Sequence, residues 1–267
     1  MSETSPFAGW LEQSPGTTFP PSAGSLTAAT QARQHAACDA PASLFEGRLD
    51  PTLLGQDMVL MASRAGLAVD GRVHVAHRIR QQAPLALGQP YAIGGRIERL
   101  EAVPRGHEVE VSATAGAQPS QGAAPVELAA LYLLPGLAPA PGAAPRPATV
   151  SPAPAGLATI SRLDLTPERV MSYSADVGNL LHFDPAFAAS RGFRAPIAQG
   201  LMLVTAFFGA LARARGAAPA RFELTARFRR HAFWDDRLEF RLGGDSWCCT
   251  AADGRVLVDG EFRAAAG

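Results

Sequence analysis

A chain of 267 residues is long enough for one large domain or two small ones. Twenty-four basic residues balance 24 acidic ones, 47% of the chain is hydrophobic, and no basic block occurs. This is a globular composition that argues against nucleic acid as the main partner. The first residues, MSETSPFAGWLEQSPG, show neither a positive n-region nor an apolar h-region, so a cytoplasmic location is expected.

Residues 1–24 are rich in Ser, Pro, Gly and Thr and read as an extended lead-in pinned by Phe7, Trp10 and Leu11. Residues 25–41 read as a short helix capped by Ser25 or Thr27, and 50–69 as a longer, largely apolar helix. Segments 73–81, 91–103, 107–116 and 125–135 read as strands bounded by turn signals such as Val69-Asp70-Gly71. Residues 135–156 are almost wholly Pro, Ala and Gly and read as a semi-extended linker.

Beyond the linker, ATISRLDL is a strand candidate, and Thr166-Pro167 starts a helix with Thr as cap and Pro at its first position. Residues 173–215 then hold a polar cluster of Asp176, Asn179, His182 and Asp184, followed by GFRAPIAQG and a long apolar run. From 197 to 211 that run is apolar on nearly every side, which marks a buried helix. It falls short of the roughly 18–20 apolar residues that span a bilayer, so no membrane association is expected. Four strand candidates close the chain, with turns at Gly243-Gly244 and Asp253-Gly254.

The two halves parallel each other. Leu26-Thr27 matches Leu165-Thr166, and Pro51 stands before the first long helix as Pro196 stands before the second. Each half runs short helix, loop, long helix, antiparallel strands. A twisted sheet wrapped around one buried helix fits that order, and an ordinary α+β sandwich fits it nearly as well.

Other signals are sparse. The three cysteines lack metal-site spacing and read as buried thiols. His74 and His77, on a strand, are expected to face opposite sides and to bind no metal. Arg78, Arg80, Arg227, Arg229 and Arg230 read as solvated strand residues, with phosphate contact open to one or two of them. No cofactor motif occurs: there is no phosphate-binding Gly loop, Gly-x-Ser-x-Gly or Cys-x-x-Cys.

NLLHFDPAFAASRGFRAPIAQGLM resembles the signature of the MaoC-type (R)-specific enoyl-CoA hydratases and dehydratases. In that family Asp-x-Asn-Pro-x-His-x-Asp precedes a helix and then Gly-Phe-x-x-Pro-Ile-Ala-His-Gly-Met. His182, Asp184, Ala188, Gly192, Phe193, Pro196, Ile197, Ala198 and Gly200 fall in register. ARFRRHAFWDDRLEF resembles a further strand of the family. The resemblance covers 160–265, and the first half is similar to the degenerate repeat of double hot-dog members.

The resemblance implies an α+β double hot dog: a lead-in over 1–24, a degenerate repeat over 25–135, a linker over 136–156 and a site-bearing repeat over 157–267. It implies a lyase that reversibly hydrates an enoyl thioester of CoA or carrier protein, with His182 and Asp176 activating water. The N–H of Gly200 would bind the thioester oxygen, and Asn179 would shape the loop. Dimers are common in the family, so a homodimer is among the implied states.

Three positions depart from the pattern. Val177 takes the place of the catalytic Asp in a gapless count, Leu180 replaces Pro and Gln199 replaces His. Either the loop is one residue longer and Asp176 serves, or the carboxylate is missing. A hot-dog thioesterase and a catalytically silent acyl-thioester-binding subunit are the other readings. Spacing alone also suits His182 as a loop histidine, Asp184 as a helix cap, Gly200 as a packing residue and Phe207-Phe208 as core.

Overall fold

The computed structural model describes residues 6–117, 124–136 and 154–265. Most of the 135–156 linker lies outside the described residues. The first repeat begins with α1 (Ala8–Leu11) and β1 (Thr18–Ala23), then α2 (Ala28–Ala37) and α3 (Leu54–Arg64). Four strands follow: β2 (Val73–Gln81), β3 (Ala92–Val103), β4 (Gly106–Gly116) and β5 (Val126–Pro135). The second repeat runs β6 (Ala158–Asp164), α4 (Pro167–Ser174), α5 (Pro185–Ser190) and α6 (Gly200–Arg215). It ends with β7 (Phe222–Phe228), β8 (Arg237–Gly243), β9 (Ser246–Ala251) and β10 (Val256–Ala264).

The strands form one antiparallel sheet in the order β1-β3-β4-β5-β2-β7-β10-β9-β8-β6. The order within each repeat is the same, and β2 joins the halves by pairing with β7, Ala76 opposite Arg227 through Gln81 opposite Phe222. The internal parallel read in the sequence is thus a structural repeat. The sheet wraps its helices, so the wrapped arrangement holds over the sandwich.

Every residue of α6 from Leu201 to Ala212 is buried. Its aromatic pair locks the helix to the sheet: Phe207 stacks on Trp247 at 4.0 Å and Phe208 lies 4.8 Å from Phe222. Each such side chain taken from water contributes about 1.5–3 kcal/mol. Gly216 at φ 78° ends the helix in the left-handed conformation that glycine adopts without penalty. Cys38, Cys248 and Cys249 are free, buried thiols.

Four sequence readings need correction. The lead-in is not merely extended: 18–23 pair with β3 as an edge strand, a place where Pro20 and Pro21 are tolerated, while Phe7 and Trp10 are buried and Leu11 is exposed. The helix expected over 50–69 ends at Arg64, because Gly66 at φ 76° turns the chain. His74 and His77 do not face opposite sides; their ring centroids are 5.3 Å apart. A bulge between His74 and Ala76 breaks the alternation on which that expectation rested. Finally, Arg230 is not simply a solvated strand residue, since it lines a cavity described below; Arg78, Arg80, Arg227 and Arg229 do form surface ion pairs.

Candidate functional site

A cavity of about 650 Å³ opens where the start of α6 meets the junction of the repeats. The loop between α4 and α6 builds one wall. Asn179 caps a short 3-10 turn by accepting from the Leu181 N–H at 3.0 Å, which sets the path of residues 180–182. The chain then staples itself to the segment before α6: Ile197 donates its N–H to the Leu181 carbonyl at 3.0 Å. The His182 Nδ1–H in turn donates to the Ile197 carbonyl at 2.7 Å.

That bond fixes the tautomer. With Nδ1–H committed to a carbonyl, Nε2 carries the lone pair of the neutral ring. His182 is 7% exposed and lines the cavity. Burial holds its pKa below the ordinary value; the Ile197 carbonyl and then the negative charge of Asp70 oppose that shift. The ring is therefore neutral at pH 7 and equipped to accept a proton.

Gly200 is the first residue of α6, and its N–H has no acceptor within the helix. The preceding Gln199 makes no side-chain cap, and its Nε2 is buried without a partner among the described residues. The positive end of the helix therefore faces the cavity uncapped. A Cβ added at Gly200 would lie 2.6 Å from the Phe228 ring, so only glycine leaves room at this wall.

Asp176 is elsewhere. Its carboxylate is paired with the Arg33 guanidinium of α2 and its side chain is 42% exposed. Val177, not Asp176, lines the cavity. Gly178 at φ 67° reverses the loop between Val177 and Asn179. This corrects the expectation that Asp176 stands beside His182 and activates water. Asp184 caps α5 through the Ala186 and Phe187 N–H groups. His182, Asn179 and Gly200 are brought together; Asp176 is not.

The opposite wall comes from the first repeat, through residues that the sequence did not connect with the site. Asp70, Arg72 and His74 line the same cavity, and Asp70 is the single carboxylate among the described residues that do so. His74 packs against Tyr132 at 4.9 Å and Phe228 at 4.7 Å. In the sequence this segment carries only the turn signal at Val69-Asp70-Gly71 and the His74/His77 pair; a pairing across the two repeats leaves no local pattern. No group of His, Cys, Asp and Glu among the described residues could hold a metal ion.

Residues 152–252 match the family model described as MaoC like domain. Over that span the second repeat is similar to a MaoC-like domain. No curated protein sequence matches the chain. Among solved structures, HtdX of Mycobacterium tuberculosis superposes with a TM-score of 0.70 at 19% identity, over 89% of this chain and 96% of that one. A MaoC-like dehydratase from Phytophthora capsici superposes with a TM-score of 0.69 at 17% identity, over 93% and 95%. A further Mycobacterium tuberculosis protein, described as having a double hot-dog fold, gives a TM-score of 0.60 at 14% identity over 95% and 96%. The chain has that double hot-dog fold, and His182, Asn179 and Gly200 lie inside the span that the family model matches.

Proposed function

We propose that the protein is an acyl-thioester hydro-lyase that adds water to an enoyl thioester, or removes it from the 3-hydroxyacyl product. The observation that carries this reading is the shared cavity of His182 Nε2 and the uncapped N–H end of α6. The similarity of residues 152–252 to the MaoC-like family model supports it.

The thioester oxygen accepts from the Gly200 N–H, so negative charge that develops there meets fixed donors and the helix dipole. Water attacks Cβ as His182 Nε2 takes its proton. The same Nε2–H then delivers a proton to Cα, which restores the neutral ring and balances the addition of H and OH. The Ile197 carbonyl and the Asp70 carboxylate favour the transient imidazolium. Asn179 holds the loop that places the ring. The apolar wall of Val177, Leu203 and Phe228 accommodates the acyl chain.

A second reading has its own observation. Val177 lines the cavity where the family pattern has a carboxylate, as suits a catalytically silent acyl-thioester-binding subunit. Purified protein mixed with crotonyl-CoA discriminates the two. Loss of the enoyl absorbance supports the hydro-lyase, and binding without turnover supports the silent subunit. Release of free thiol would point to a thioesterase instead.

A further inference from the structure

Arg72 lines the cavity and has no part in hydration. Its guanidinium lies between two buried rings, 4.0 Å from the centroid of Tyr132 and 5.8 Å from that of Trp10. Tyr132 is 3% exposed and Trp10 1%. The Nη1 atom is shielded from solvent and has no hydrogen-bond partner among the described residues. No carboxylate among them forms an ion pair with Arg72, although Asp70 is two residues away. Other arginines on or beside the strands behave differently: Arg78, Arg80, Arg99, Arg227, Arg229 and Arg241 each face a carboxylate.

A guanidinium nitrogen shielded from water is costly unless an anion meets it, and an aromatic face offsets only part of that cost. Its planar fork matches a carboxylate in two parallel hydrogen bonds. The free cavity beside it is the one that His182 and Gly200 share. We propose that the cavity takes an acyl thioester whose acyl chain carries a second, anionic carboxylate, held by Arg72 on the first-repeat wall while the thioester lies at Gly200. This rests on the thioester-site reading above. A phosphate of the thioester carrier is the other anion that could reach an arginine. Arg191, exposed on the cavity lining and also without an ion pair among the described residues, is better placed for it. Arg72, walled by two aromatic rings, suits the acyl end.

The test uses binding of saturated thioesters, which cannot be hydrated, so it remains informative whether or not the protein proves to be a hydratase. Titration calorimetry of the full chain compares glutaryl-CoA with its uncharged five-carbon counterpart, pentanoyl-CoA. The proposal expects glutaryl-CoA to bind at least about tenfold tighter, the usual worth of a charge-assisted contact. In Arg72→Gln and Arg72→Met that ratio drops below about threefold. The same comparison with N-acetylcysteamine thioesters, which lack phosphate, keeps the preference if the acyl carboxylate is the ligand. Equal affinity of the unaltered protein for the two CoA thioesters overturns the proposal without reference to any variant. It is overturned as well by an Arg72 effect that is equal for both acyl chains and vanishes with the phosphate-free thioesters. A glutaryl preference in a protein that turns over no enoyl thioester sustains the Arg72 subsite and sinks only the hydratase reading.

Discussion

The starts of α3 and α6 occupy equivalent places in the two repeats, each a few residues after a proline, yet one is closed and the other open. Before α3, the Asp50 carboxylate accepts from the Thr52 N–H at 2.9 Å and from the Thr52 hydroxyl at 2.7 Å. His35 Nε2 meets the same carboxylate at 2.9 Å, and the pair is 1% and 0% exposed. Over Gly55 the Leu201 side chain fills the space, 2.7 Å from where a Cβ would stand. Before α6, Gln199 provides no cap, His182 binds only a backbone carbonyl, and Gly200 opens on a cavity. One repeat ties its histidine and helix end into the core; the other leaves both facing a cavity. A fold built twice can thus close a helix end in one copy and leave the equivalent end open in the other.

The largest expected effect breaks the open end. His182→Ala should lower the rate of crotonyl-CoA hydration by roughly 10²–10⁴-fold, the range for loss of a general acid–base group. Far-UV circular dichroism should stay unchanged. Retention of full rate would make His182 a loop histidine and nothing more. The mirror experiment breaks the closed end: Asp50→Ala leaves His35 buried without its partner and should cost about 3–5 kcal/mol in urea unfolding. A cost below about 1 kcal/mol would show that the pair does not hold the repeat.

Gly200→Ala sharpens the contrast, since its Cβ must displace the Phe228 ring. We expect a loss of about 1–3 kcal/mol in stability from overpacking, with a larger fall in kcat/KM than in the melting midpoint would suggest. The pH profile reads the electrostatics of the open end. Burial depresses the pKa of His182, so the base is present at pH 7 and is lost as pH falls below the ordinary histidine value. Asp70 opposes that depression, so Asp70→Asn should shift the acid limb of kcat/KM further down in pH. A shift upward would contradict the placement of that carboxylate.

The smallest effect belongs to Asp176→Asn. Its pair with Arg33 is exposed, so stability should change by no more than about 1 kcal/mol and activity by less than about twofold. A collapse of activity would restore Asp176 as the carboxylate beside His182.

Much of this architecture is written locally. Alternation marks β2 to β5 to within a residue, Thr166-Pro167 starts α4, and the apolar stretch of α6 announces a helix enclosed on all sides. The residues Asn179, His182 and Gly200 lie within a short stretch of chain, so their pattern survives in sequence. What escaped depends on distant partners. The strand β1 hides behind two prolines because its edge position, known only from the sheet, is what tolerates them. Asp176 looks like an active-site residue until Arg33, 143 positions earlier, draws it away. Arg72 and His74 join the site only because β2 runs beside β7.

The most direct test is a crystal structure of the protein with a saturated acyl thioester bound. The account predicts the thioester oxygen within about 3 Å of the Gly200 nitrogen, with Cβ on the side of His182 Nε2. A thioester seated outside the cavity, or a carbonyl turned away from the α6 terminus with His182 contacting no part of the ligand, would contradict it.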